Sequence, residues 1–185
     1  MTATVGLAGP DTGALRDALG RFATGVTVIT TVDGGGEPVG CTVSAFCALS
    51  LEPPLVLVCI GRGRRMHETL TTAPGFAVNV LGADQRAVAT AFARSTGDRF
   101  AAVTSTPGRH DSPLLDGTIA RFECDRESVL DGGDHAVVVG RVRALATSDG
   151  EPLLYVRGAF LDVARPAWDR AVADAAPEWL LSAPW

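Results

Sequence analysis

Two periods of apolar residues run along this chain, and the points where one gives way to the other mark its elements. Between Thr12 and Phe22, Leu15, Leu19 and Phe22 recur at helical spacing, with Asp11 or Thr12 able to cap the first turn. Val26-Thr27-Val28-Ile29-Thr30-Thr31-Val32 is β-branched throughout and ends on Asp33-Gly34-Gly35-Gly36. That pattern predicts a strand, a hairpin turn and a returning strand over 38–49. Pro53 and Pro54 remove two ladder donors and interrupt the pairing. A short apolar strand over 55–60, a turn rich in Gly and Arg over 61–65 and a short helix over 66–70 come next. A strand over 76–81 and a helix over 83–94, carrying Val88 and Phe92, follow. Beyond an irregular stretch with Pro107, Gly108 and Pro113, three long β segments are predicted at roughly 118–130, 135–147 and 152–163. Gly132-Gly133 and Asp149-Gly150 mark their turns.

Six or seven antiparallel strands with two or three peripheral helices, and no strand–helix alternation, predict a mainly β fold: a closed or split β-barrel. At 185 residues the chain suits one domain, expected over 12–163 after a flexible N-terminus at 1–11. The tail, 164–185, holds all three tryptophans, Trp168, Trp179 and Trp185, and is expected to pack on the barrel or on a dimer partner.

Composition mainly excludes. Hydrophobic residues make up 46% and charged residues 20%, a globular balance. A net charge of -5 without a basic stripe argues against nucleic acid as a partner. All 16 basic residues are Arg, so no Schiff-base lysine, phosphate-loop lysine or Ser-Lys dyad can operate. Met1–Pro10 does not read as a signal peptide, and no apolar run approaches the ~18 residues of a membrane helix. Cys41, Cys47, Cys59 and Cys124 form no Cys-x-x-Cys pair; they are expected as buried free thiols, which points to the cytoplasm. There is no Gly-x-Ser-x-Gly elbow, His67-Glu68 lacks the second His of a zinc protease, and three scattered histidines predict no metal site. Gly61-Arg62-Gly63-Arg64-Arg65-Met66 begins like a dinucleotide fingerprint but lacks its third Gly.

Two segments together favour a phosphate-bearing ligand. In Gly40-Cys41-Thr42-Val43-Ser44-Ala45-Phe46 the hydroxyls of Thr42 and Ser44 lie two apart, on one face of a strand. In Cys59-Ile60-Gly61-Arg62-Gly63-Arg64-Arg65 three guanidiniums stand between a strand end and a helix start. By themselves these segments also read as a half-buried strand and a solvated basic turn.

The stretch Ala18-Leu19-Gly20-Arg21-Phe22-Ala23-Thr24-Gly25-Val26-Thr27-Val28 resembles the opening of the short-chain flavin reductase family. The order continues through Gly40–Leu49, Leu51–Cys59, Phe76–Leu81, Asp84-Gln85, Asp98-Arg99-Phe100, Gly133-Asp134-His135 and Pro152–Tyr155. The resemblance covers about residues 15–163. It implies a split-barrel flavin-binding fold, a homodimer, and an NAD(P)H:flavin oxidoreductase supplying reduced FAD or FMN to a separate flavin-dependent monooxygenase. By the same matching, Thr42, Ser44, Ala45, Phe46, Cys59, Ile60, Asn79 and Phe100 line the flavin, with Arg62, Arg65 and Met66 near its phosphate or ribityl chain. His135, supported by Asp134, would approach the nicotinamide of NADH or NADPH, as would Tyr155 and Phe160. Taken alone, His135 reads as a solvated turn residue. Two other readings stay open: a flavoprotein that retains its flavin, and a flavin-binding module without turnover.

Overall fold

The computed structural model describes residues 11–94 and 97–161. Its helices are α1 (Thr12–Leu19), α2 (Arg65–Thr72) and α3 (Arg86–Ala93). Its strands are β1 (Thr24–Gly25), β2 (Thr27–Val32), β3 (Pro38–Val43), β4 (Phe46–Leu51), β5 (Pro54–Gly61) and β6 (Gly75–Val80), followed by β7 (Ser105–Pro107), β8 (Pro113–Leu115), β9 (Ala120–Gly132), β10 (His135–Thr147), β11 (Leu154–Val156) and β12 (Ala159–Leu161). One antiparallel sheet has the order β3-β2-β6-β9-β10-β5-β4; β1, β11 and β12 form a second, and β7 pairs with β8.

The β-branched run becomes β2, buried along most of its length because both of its faces are covered. Ile29 points into one core with Val39, Val58, Met66, Leu70, Phe76 and Val138; Val28 points into another with Leu81, Val88 and Phe92. Successive side chains take opposite faces of a strand, so one six-residue segment serves both cores. Each fully buried aliphatic there contributes roughly 1.5–3 kcal/mol. The three buried threonines of β2 each donate to a carbonyl: Thr27 to Val43, Thr30 to Pro113 and Thr31 to Gly75. These bonds satisfy the buried hydroxyls on both faces of the strand.

The predicted returning strand over 38–49 divides at Ser44-Ala45 into β3 and β4, which stand at opposite edges of the large sheet. The corner brings those edges together, and the Cys59 N–H donates to the Ala45 carbonyl at 3.0 Å. The result is the mainly β split barrel expected from the sequence, with β3 left unpaired on its outer side. The predicted strand over 152–163 is a short hairpin, β11 and β12, turning at Arg157-Gly158. The helix predicted over 12–22 stops at Leu19, and its apolar stripe faces outward: Leu19 is 65% and Phe22 77% exposed. All four cysteines are free, but Cys47 is exposed rather than buried, and only Cys124 is fully enclosed. Residues 1–10 and the tail with Trp168, Trp179 and Trp185 lie outside the described residues.

Candidate functional site

A cavity of about 960 Å³ opens beside the corner where the barrel closes. Its floor is β3 from Pro38 onward and the Ser44-Ala45 corner; one wall is the end of β5 and the turn into α2, the other the end of α3 and the loop at 97–100. β3 has a ladder partner on one side only, so backbone donors and acceptors of its outer side are available there. A smaller cavity of about 360 Å³ shares Thr42, Ser44 and Ala93 with the first and is closed by Tyr155 and Phe160.

The loop at 98–100 is built one residue at a time. The Asp98 carboxylate accepts from the N–H groups of Phe100 and Ala101 and shapes the turn. Arg99 donates to the Gly40 carbonyl at 2.6 Å, fastening the loop to β3. Phe100 stands edge-on to Phe92 of α3, ring centroids 5.0 Å apart, and joins the cavity wall.

Of the residues expected to line a flavin, Thr42, Ser44, Ala45, Cys59, Ile60, Arg65, Met66 and Phe100 do line this cavity. The Thr42 hydroxyl, however, is committed to the Ala89 carbonyl at 2.6 Å and ties α3 to β3. Three expectations are corrected. Phe46 is not on the cavity wall; it packs toward the barrel core against Phe122, centroids 5.9 Å apart. Asn79 is fully buried in β6, where its amide donates to the Val28 carbonyl and the Thr30 hydroxyl and accepts from the Leu115 N–H. Its amide hydrogens are engaged within the core, and full burial excludes contact with a ligand. Arg62 also lies off the wall, bound to the turn between β9 and β10.

The run at 62–65 therefore separates. Arg65 borders the cavity but pairs with Asp33 at 2.5 Å, and that guanidinium holds the Asp33 carboxyl below its usual range. Arg64 is exposed on the wall and makes no ion pair among the described residues. On the nicotinamide side, His135 lines the large cavity while Tyr155 and Phe160 line the small one, 5.4 Å between ring centroids. Asp134 stays off the wall; its carboxylate meets His135 Nδ1 at 2.7 Å, which lowers the Asp134 pKa. A carboxylate can only accept, so Nδ1 carries the proton and a neutral ring presents Nε2 as an acceptor.

Burial pushes the Cys41 thiol in the cavity wall up to about 12, against the opposing pull of Arg99 and Arg64. It is a neutral, unreactive surface at neutral pH. Among the described residues no group of three His, Cys, Asp or Glu side chains gathers into a metal site. The chemistry on offer is recognition: a strand edge for a flat polar ring, Ile60, Met66 and Phe100 for its apolar area, and guanidiniums without a carboxylate partner among the described residues, Arg64 and Arg94, for an anion. That set fits a flavin nucleotide.

The model of a flavin reductase like domain matches residues 19–164. The chain belongs to this family. It is 45% identical over 150 residues to a probable flavin reductase of Rhizobium meliloti, covering 81% of this chain and 48% of that protein. It is 44% identical over 149 residues to the flavin-dependent monooxygenase reductase subunit HsaB of Rhodococcus jostii, covering 80% of this chain and 76% of that one. The fold matches the Streptomyces globisporus NADH:FAD oxidoreductase SgcE6, solved in complex with NAD and FAD fragments. The TM-score is 0.82 at 38% identity, over 88% of this chain and 99% of that one. The chain spans about half the length of the Rhizobium meliloti relative. Family membership was legible in the ordered short motifs; the distinct position of Arg64 among its neighbours was not.

Proposed function

We propose that this chain is an NAD(P)H:flavin oxidoreductase that supplies reduced FAD or FMN to a separate flavin-dependent monooxygenase. The observation that carries this reading is the large cavity itself, which holds a strand edge, an unpaired arginine and His135 around one space and shares Thr42, Ser44 and Ala93 with a second. Its volume is at the top of the range for small-molecule sites, enough for two ring systems.

A bound flavin supplies the ring that accepts the hydride. The residues of this chain bind, orient and exclude water. Arg64 meets the phosphate charge, and Ser44, Ala45 and the outer edge of β3 meet the polar rim of the ring. Ile60, Met66 and Phe100 shield its apolar area. His135 Nε2 accepts from the carboxamide of NADH or NADPH, with Asp134 fixing the ring; Tyr155 and Phe160 enclose the remainder of the dinucleotide. Hydride transfer needs no protein acid, base or nucleophile, only reacting atoms held roughly 3–3.5 Å apart.

Steady oxidation of NADH or NADPH with excess free FAD or FMN tests the reading. Sustained turnover over many equivalents of protein is expected. Reduction of a single equivalent that then stops would identify a flavin-holding module instead, and protein that stays yellow through dialysis would identify a flavoprotein keeping its flavin.

The same reading includes a homodimer in the cytoplasm. Leu15, Leu19 and Phe22 present an apolar stripe that a second copy would cover, and the tail 164–185 with its three tryptophans would pack on the barrel or the partner. Light scattering is expected to give twice the monomer mass, and Leu19→Asp to shift it toward the monomer. Four free cysteines suit a reducing compartment. Among the described residues no helix is long and apolar enough to cross a membrane.

A further inference from the structure

The ladder between β5 and β10 ends at the pair Gly61 and His135. On its other side β10 pairs with β9 up to Gly132 and His135, which leaves the two-residue turn Gly133-Asp134. Two successive glycines, Gly133 at φ +75, give it a large conformational freedom to lose. Arg62 adds a restraint to that ladder pair. Its backbone N–H donates to the Asp134 carbonyl at 3.0 Å, its Nε donates to the Gly133 carbonyl at 2.8 Å, and its Nη2 pairs with the Asp131 carboxylate. One residue therefore holds both residues of the turn, Gly133 and Asp134, and Asp131 at the end of β9, immediately before His135.

The ring of His135 lies across Gly61: a Cβ built there would stand 3.6 Å from Nε2. Nδ1 is held by Asp134, whose own carbonyl is held by Arg62. Both the chain that carries the imidazole and the carboxylate that orients it are thus fastened to the same residue. Arg62 does not touch the cavity. We infer that Arg62 is a positioning residue for His135, serving the nicotinamide side of the site and not the flavin phosphate. The inference rests on the reading of His135 given above.

The ion pair with Asp131 is largely solvent-exposed and adds little to global stability. Its loss, with the two carbonyl contacts, should be felt as misplacement of the ring rather than as unfolding. A double-mutant cycle separates these effects. The KM for NADH and the flavin dissociation constant, the latter from fluorescence quenching, are measured for the parent, Arg62→Ala, His135→Ala and the double variant. Arg62→Ala is expected to raise the KM about fivefold and leave flavin affinity within about twofold. In the His135→Ala background the same change should add almost nothing. Equal effects in both backgrounds would show a general structural role and overturn the inference, as would loss of flavin affinity, which would return Arg62 to the phosphate. If His135→Ala itself leaves the KM unchanged, the nicotinamide reading of His135 fails first, and the inference with it.

Discussion

Arg64→Ala is expected to raise the flavin dissociation constant about tenfold or more. A charge-assisted hydrogen bond is worth roughly 1.5–3 kcal/mol, and 1.4 kcal/mol is a factor of ten. Arg64 has extended backbone angles, φ -118 and ψ 146, at the residue before α2, and it lines the cavity with no competing ion pair among the described residues. Arg62 and Arg65, by contrast, have carboxylate partners already. Titration by fluorescence quenching with FMN and with riboflavin distinguishes phosphate recognition from a change in cavity shape. Riboflavin should bind the parent and the variant nearly alike; an equal loss for both would show that Arg64 only forms the wall.

Gly140→Ala is expected to destabilise the fold by about 2–3 kcal/mol through overpacking. The ladder between β9 and β10 shifts register at Val139/Gly140. There the backbone of β10 approaches the Phe76 ring so closely that a Cβ would lie 2.5 Å from Cζ and 3.0 Å from the Cys124 Cβ. Phe76 and Cys124 are both buried and cannot swing into solvent. Thermal unfolding should show a Tm lower by roughly 6–10 °C. Phe76→Leu in the same chain should recover part of that loss, because it removes the ring atoms that a methyl would strike. A Tm within 2 °C of the parent, on the order of the change that 0.5 kcal/mol produces, would show that the core absorbs the methyl.

Periodicity made β2 legible from Val26–Val32 alone, since β-branched residues suit a strand whichever neighbour it takes. It could not reveal the corner at Ser44-Ala45. The apolar pattern passes through 38–49 without interruption, and only the final sheet order separates β3 from β4. The same limit applied to side chains. Asn79 lies between two valines like a ligand contact, but its partners are Val28, Thr30 and Leu115, distant in the chain. Three clustered arginines signalled an anion site, yet Asp33 and Asp131, 32 and 69 residues away from their partners, decide which guanidinium remains available. Residue type reported the chemistry present in the segment; long-range pairing assigned it.

The position of β9 and β10 in the sheet has a consequence for biosynthesis. The strands made first form two separate groups, β3-β2-β6 and β5-β4, and the hairpin of residues 120–147 stands between them. A ribosome-bound chain that has not yet reached residue 120 can close its local hairpins but carries open strand edges on both groups. Such edges are templates for intermolecular pairing, and non-local closure is slow. The interval before the last third of the chain emerges is therefore the one in which this protein most needs a chaperone, and a premature stop there should yield aggregate rather than a smaller folded unit.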